Sequence, residues 1–282
     1  VTGSRIHITK QAEVATSHRC ARPDWDDRHN AAVYGPEARP HGHNYRVEAT
    51  VSGPLDPRTG MVTNIKDVKA ALREVLAAYD HRDLNRDHPA FRTRIPTSER
   101  VTRAIFTDLA GRLGAGRLER VRLHEGDGAC YEAHHPDSPL APSPGKDAML
   151  VTRRYRFCAA HRLHSPALSE AENRETFLDC NNPNGHGHDY TLDVTVRGEV
   201  DPATGLAANH PHLDRTVRAE IVDRYNYRNL NDDLPEFADA VTTSENIVKT
   251  VWEILEKRLG EGVLYRIRLA ETRDNAFEYY GD

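Results

Sequence analysis

The chain has 282 residues, 38% of them hydrophobic, and a formal net charge of −5. That length suits two ordinary domains with cores of their own, and the mild acidity argues against a nucleic-acid partner, which calls for a basic face. No apolar run reaches the ~20 residues of a membrane span, the opening "VTGSRIHITK" lacks a signal-type apolar core, and four cysteines without close pairing fit reduced thiols, so a cytoplasmic protein with no membrane partner is expected.

Residues 45–53, "YRVEATVSG", alternate apolar and polar side chains as a half-buried strand does. Ile65, Val68, Leu72, Val75, Leu76 and Tyr79 recur at helical spacing and predict an amphipathic helix. A second helix is predicted to start after the cap Thr97-Ser98. Val121 and Leu123, alternating with arginine, predict a strand, and one more strand closes the segment. Residues 134–147, "HHPDSPLAPSPGKD", are rich in Pro and Ser and read as a linker. The series then begins again. "YTLDVTVRG" at 190–198 predicts a strand, and Leu213, Val217, Ile221 and Tyr225 a helix. A further helix follows Thr243-Ser244, with Ile247, Val248, Val251, Trp252, Leu255 and Leu259 on its apolar stripe, and then a strand with Tyr265, Ile267 and Leu269.

The chain is therefore one unit written twice. "ATSHR" with His18 answers "CAAHR" with His161, and "HGHNY" at His41 answers "HGHDY" at His186. "DPRTG" at Asp56 answers "DPATG" at Asp201, and "YDHRDLN" from Tyr79 answers "YNYRNLN" from Tyr225. "PTSER" from Pro96 answers "TTSEN" from Thr242, and "VRLHE" ending at Glu125 answers "IRLAE" ending at Glu271. Matching blocks lie 143 to 146 residues apart. Such steadiness predicts a duplicated domain, residues 1–134 and 150–282, joined by a linker at 135–149. Each copy has the order ββααββ, an α+β unit with an antiparallel sheet and helices on one face.

On a strand, residues i and i+2 face the same side, so His41 and His43 project together, as do His186 and His188. His18 or His161 on a neighbouring strand completes three nitrogen donors. Three protein ligands with a position left open describe a catalytic rather than a structural zinc site. Neutral imidazoles suit Zn2+, with copper and nickel as competitors in vitro. A single His-x-His is a weak signal; its recurrence in both copies, each with an upstream His, makes it a strong one. The glycine between the histidines lets another group approach the backbone closely. Cys20 and Cys158 read as small buried residues, and Cys130 has no partner motif.

These blocks together resemble the 6-pyruvoyl-tetrahydropterin and 6-carboxy-tetrahydropterin synthase family. The matching motifs are the upstream His, C-x5-HGH-[ND]-Y, G-M-V, D-H-x-x-L-N, [PT]-T-S-E and the late Glu, and they span nearly all of both copies. The resemblance implies the tunnelling fold (T-fold), in which ββααββ units join by their sheets into a multimeric barrel. It implies a lyase acting on a pterin substrate, 7,8-dihydroneopterin triphosphate, with active sites between subunits. The zinc ligands would be His18, His41 and His43 in the first copy and His161, His186 and His188 in the second, with Zn2+ in each domain and the second site the catalytic one. Cys180 matches the family's thiol base, and Asp80 and His81 match the pair that supports it from another subunit. Glu271, and Glu125 in the first copy, match the carboxylate that anchors the pterin ring; Thr243, Ser244 and Glu245 match the pocket corner. Six units supplied by three chains imply a homo-oligomer, a trimer of two-domain chains.

The departures carry information. Gly35 stands six residues ahead of His41, where the second copy has Cys180 ahead of His186. Asn226 and Tyr227 stand where the first copy has Asp80 and His81, and "LAANH" replaces the G-M-V block. Neither copy alone holds the full set, so the resemblance implies a composite site in which Cys180 of one domain faces Asp80 and His81 of another. The reciprocal site around His18, His41 and His43 is then expected to be poor at this chemistry. The runner-up readings are a 6-carboxy-tetrahydropterin synthase or a diverged enzyme acting on a related substrate, and a non-catalytic metal- or pterin-binding scaffold.

Overall fold

The computed structural model describes residues 5–113, 117–142 and 148–281; of the expected linker, residues 143–147 lie outside the described residues. The first copy forms β1 (Ile6–His18), α1 (Asp27–Tyr34), β2 (His41–Gly53), α2 (Ile65–Leu76), β3 (Arg82–Asp83), α3 (Leu84–Asp87), α4 (Ser98–Ala110), β4 (Arg117–Glu125) and β5 (Ala129–His134). The second forms β6 (Ala148–His161), α5 (Glu170–Phe177), β7 (His186–Glu199), α6 (His210–Val217), α7 (Asp223–Tyr225), β8 (Arg228–Asn229), α8 (Leu230–Asp233), α9 (Ser244–Leu259), β9 (Leu264–Ala270) and β10 (Ala276–Tyr279). The α+β class and the ββααββ core expected for each copy are present, with short extra turns between the main elements. Among the described residues no helix is long and apolar enough to cross a membrane.

The chain divides into two units. The first holds the residues up to Thr152 together with Arg197–Pro211; the second holds Arg153–Val196 together with the residues from His212 on. The loop after β7 belongs to the second copy by sequence, yet it packs in the first unit.

In the first unit the antiparallel order is β5-β4-β2-β1, and the short β3 runs parallel to β1. The β1–β2 register brings three histidines to one end of the sheet: His18 pairs with His41, and Thr16 with His43. Tyr45, Val47, Ala49 and Val51 of β2 and Val121 and Leu123 of β4 are fully buried. The helices close over them with Val68, Leu72 and Val75 of α2 and Val101, Ile105 and Leu109 of α4. Each such side chain contributes about 1.5–3 kcal/mol by leaving water. The helices start where predicted because side chains cap them: Asn64 accepts from Lys66 N–H and Thr97 from Arg100 N–H.

The second unit repeats the plan, with β9 between β7 and β10, β6 beside β7, and β8 parallel to β6. Both long central strands carry a bulge at matching places, Thr50/Val51 and Thr195/Val196. The helix predicted through Leu213, Val217, Ile221 and Tyr225 forms, but Arg218–Val222 is a π turn between α6 and α7. That turn absorbs one residue. Asp56 and Asp201 lie 145 apart, whereas Tyr79 and Tyr225 lie 146 apart, and the wider turn keeps Ile221 and Tyr225 fully buried despite the extra residue.

Candidate metal centre and active site

In each copy the first strand ends on one histidine and the long strand opens on the other two. The candidate ligand nitrogens of His18, His41 and His43 all lie within 4.8 Å of one another, as do those of His161, His186 and His188. His161 Nε2 is 3.2 Å from His186 Nε2. Three of the six rings are aimed by carbonyls. Nδ1 of His18 is 2.6 Å from Pro96 O, Nδ1 of His161 is 2.8 Å from Thr242 O, and Nδ1 of His41 is 2.7 Å from Arg39 O. A carbonyl only accepts, so Nδ1 carries the proton and Nε2 presents its lone pair.

Two observations fit these triads to a metal. Buried Nε2 atoms of His41, His43 and His188 have no hydrogen-bond partner, an arrangement that is costly unless something else binds them. Burial also pushes His161, His188 and His43 below the usual histidine range and His18 down to about 4, which keeps the imidazoles neutral, as ligands must be. The glycines inside the two motifs have a more local reason than ligand access. A Cβ on Gly42 would meet Thr16 O at 2.9 Å, and one on Gly187 would meet Ala159 O at 3.1 Å. The close neighbour is the adjacent strand.

Each triad is bordered by a carboxylate at the end of the following strand. Glu271 Oε1 lies 3.4 Å from His188 Nε2 and 3.6 Å from His161 Nε2, and Glu125 Oε1 lies 3.6 Å from His43 Nε2. In the first unit Tyr45 Oη contacts both His18 Nε2 (3.2 Å) and Ser98 Oγ (2.9 Å), and Ser98 donates to Glu125 (2.9 Å). In the second unit the matching Tyr190 Oη and Ser244 Oγ are buried without a partner.

The helix-start corners differ as well. Thr97 and Glu99 are fully buried under the loop of Arg197–Pro211: Thr97 donates to Gly205 O (2.6 Å), Ala207 N–H donates to Glu99 (3.0 Å), and His210 Nε2 lies 2.8 Å from the same carboxylate. At the second corner Thr243 is half-buried and Glu245 exposed. Burial works against a charge on His210, but Glu99 and Glu37 outweigh it and raise the imidazole to about 10. Sequence reasoning missed this cluster. Its one signal is that His210 stands where the first copy has Ile65.

Cys180 lies in a 3-10 turn, Leu178–Asn181, and its carbonyl accepts from Leu163 N–H (2.9 Å). Burial, followed by Glu271 and Asp179, pushes its thiol up, so these neighbours oppose its ionisation. Asp80 and His81 form an intact pair, with Oδ2 2.9 Å from Nδ1. Ala15 N–H donates to Asp80 Oδ1 (3.0 Å) and His81 N–H to Ala15 O (2.6 Å). The His81 side chain is 82% exposed, turned outward from its unit. Asn226 and Tyr227 reproduce the turn without its chemistry: Asn226 accepts from Cys158 N–H (3.0 Å) and Tyr227 N–H donates to Cys158 O (2.7 Å).

The structure corrects one expectation. Gly35 is not the counterpart of Cys180. In the first unit the same 3-10 turn is Gly35–Ala38, and Cys20 N–H donates to Glu37 O (2.9 Å) as Leu163 N–H donates to Cys180 O. Arg19 Nε donates to Ala38 O (2.8 Å) as Arg162 Nε does to Asn181 O (3.0 Å). Glu37 therefore occupies the place of the thiol. The mismatch arises because four residues, Asn182–Gly185, join the turn to His186, whereas only Arg39 and Pro40 precede His41. Counting back from the histidines slips by two.

Comparison with known proteins follows the same division. A family model described as 6-pyruvoyl tetrahydropterin synthase matches residues 7–136 and again 150–282. The chain belongs to this family. Its two matches make it a tandem duplication of the family's unit, and the α+β fold is the tunnelling fold. The 6-pyruvoyl tetrahydrobiopterin synthase of Homo sapiens is 46% identical over 132 residues, 47% of this chain and 91% of the relative. A putative 6-carboxy-5,6,7,8-tetrahydropterin synthase of Archaeoglobus fulgidus is 38% identical over 87 residues, 31% of this chain and 69% of the relative. The solved structure of Caenorhabditis elegans 6-pyruvoyl tetrahydropterin synthase is 42% identical, covers 48% of this chain and 96% of its own, and superposes with a TM-score of 0.46. Each of these three matches covers about half of this chain or less.

Proposed function

We propose that the protein is a zinc-dependent lyase of the 6-pyruvoyl-tetrahydropterin synthase type, which releases triphosphate from 7,8-dihydroneopterin triphosphate at a composite site where Cys180 of a second copy meets Asp80 and His81 of a first. The observation that carries this reading is complementary retention. The thiol of Cys180 has neighbours that oppose its ionisation among the described residues of its own unit, and an intact, outward-facing Asp-His pair stands on the copy whose matching turn has no cysteine.

His161, His186 and His188 would hold the zinc. Bound there, it supplies a Lewis acid that polarises a side-chain oxygen of the substrate. Glu271 accepts from the adjacent N–H donors of the pterin edge, and the partnerless hydroxyls of Tyr190 and Ser244 offer further contacts, with Thr243 and Glu245 at the rim. Asp80 orients His81 through Nδ1, and His81 accepts the Cys180 proton. The thiolate then takes a proton from the hydroxylated side chain, which leads to loss of triphosphate. Chains that assemble as a cytoplasmic homo-oligomer, a trimer supplying six units, bring the two halves together. The block "LAANH" in the second copy departs from the family's G-M-V block, and a 6-carboxy-type or related pterin substrate is the second reading.

The test is triphosphate release by zinc-loaded chains carrying Cys180→Ala or His81→Ala. Each substitution lowers turnover, and a mixture of the two variants regains it if the site forms between chains. Wild-type protein that releases no triphosphate from this substrate sinks the reading.

A further inference from the structure

Away from its triad, the first unit holds a cavity of about 890 Å³, lined from α2, α4 and the loop after β7. Four arginines line it, Arg94, Arg100, Arg103 and Arg112, against two carboxylates, Glu74 and Asp108. Both carboxylates are already engaged. Glu74 pairs with Arg112 (3.3 Å), and Asp108 accepts from Tyr79 Oη (3.2 Å). Burial holds Arg100 below the usual arginine range, and the nearby charge of the exposed Arg94 adds to that. Cations are therefore crowded on one side of an open space.

His88 lines the same cavity and is only 5% exposed. Its ring lies between those of Tyr79 (4.3 Å between centroids) and Phe91 (5.0 Å). Burial pushes the imidazole down against the pull of Asp108, so it is neutral. Its Nδ1 is buried without a hydrogen-bond partner, which is costly unless something else binds it.

The second copy handles the matching positions differently. The copies align without a gap from Tyr79/Tyr225 to Thr97/Thr243. Arg224 and Glu236 stand where the first copy has Ala78 and Ala90, and they pair at 2.7 and 2.8 Å. Leu234, Ala240 and Asn246 replace His88, Arg94 and Arg100. One copy satisfies its charges internally. The other leaves room at two alanines and adds cations around it.

We propose that this cavity binds a nucleotide-sized organic phosphate, with its phosphates on Arg94, Arg100 and Arg103 and a flat heteroaromatic body beside Phe91 and His88. Guanidinium forks match phosphate oxygens two at a time. A heteroaromatic body supplies a face for Phe91 and a polar edge for Nδ1 of His88. The volume falls within the range of small-molecule clefts, about 300–1,000 Å³. The inference is independent of the proposed function.

The experiment is calorimetric titration of the zinc-loaded chain, in excess magnesium, with adenosine triphosphate, guanosine triphosphate and inorganic triphosphate. At least one nucleotide is expected to saturate one site per chain below about 1 mM, more tightly than inorganic triphosphate. Arg94→Ala/Arg103→Ala is expected to weaken it about tenfold or more, as loss of charge-assisted hydrogen bonds does. Ala78→Arg/Ala90→Glu installs the ion pair of the second copy and is expected to abolish it, with urea midpoints confirming a folded chain. Should that chain fail to fold, Arg94→Ala alone, at an exposed side chain, carries the test and is expected to weaken binding several-fold. A wild-type chain that saturates with neither nucleotide, or variants that bind as the wild type does, overturns the site. Inorganic triphosphate binding as tightly as the nucleotides overturns the assignment of an organic body.

Discussion

Asp80 and Asn226 make the same hydrogen bond. Each side-chain oxygen accepts, at 3.0 Å, from the backbone N–H of the first strand of its copy, Ala15 for Asp80 and Cys158 for Asn226. The bond to the strand therefore survives loss of the charge, and the carboxylate of Asp80 is needed only for what it adds. It adds the contact to His81, and the Ala15 N–H and then His81 hold Asp80 below the usual carboxylate range. Asp80→Asn is expected to lower triphosphate release towards the level of Cys180→Ala while changing unfolding free energy by less than ~1 kcal/mol, since a neutral acceptor replaces a charged one at an exposed turn. Urea titration beside a turnover assay separates the two effects.

Metal binding is expected to reach two equivalents per chain, because each triad gathers three histidines whose candidate ligand nitrogens lie within 4.8 Å of one another. Elemental analysis after dialysis against zinc checks this. His186→Ala/His188→Ala is expected to hold one equivalent, and so is His41→Ala/His43→Ala. Chelation is expected to lower the thermal midpoint, as it does for any ligand that binds only the folded state, and to do so less for either double variant than for the wild type.

His210 gives a pH signature. Its folded-state pKa is raised to about 10, from an unfolded value of about 6.5. Its stabilising contribution is therefore fully present below about pH 6.5 and is lost as pH rises through about 10. Urea midpoints measured from pH 6 to 10 are expected to fall more steeply for wild type than for His210→Gln. Parallel curves would remove the ion pair with Glu99 from the account.

The π turn at Arg218–Val222 makes a prediction about length. Ala219 is exposed there, and the first copy runs through the same stretch with one residue fewer. Deleting Ala219 is expected to turn the segment into a continuous α-helix with Leu213, Val217 and Tyr225 still inside, at a cost within ~1 kcal/mol. Cooperative unfolding with an unchanged denaturant slope would bear this out.

Much of this architecture is legible in the chain because periodicity and repetition are local. The stripe of α9 and the caps Thr97 and Thr243 can be read directly. The pairing of His18 with the His41 motif follows from the two-residue period of strands and the duplication. Glu37 escapes a count back from His41, because the two connecting segments differ in length by two residues. A trace of this is present: His18 and His161 lie 143 apart but His41 and His186 lie 145 apart, so an insertion falls between them. The hydrogen bonds of the turns locate it. The burial of Glu99 under Ala207 and His210 has no local signature, because its partners lie more than a hundred residues away.

One backbone detail bears on how far the copies have diverged. His81 and Tyr227 both sit at positive φ, +56° and +58°, a conformation that costs a non-glycine residue on the order of 1 kcal/mol. Tyr227 bears that cost while its ring is 84% exposed, and glycine there would be more comfortable. The second copy thus keeps the mounting of a histidine it no longer carries. Two substitutions would refit it, so at this turn the specialisation of the two halves is written in side chains and the backbone beneath has stayed interchangeable.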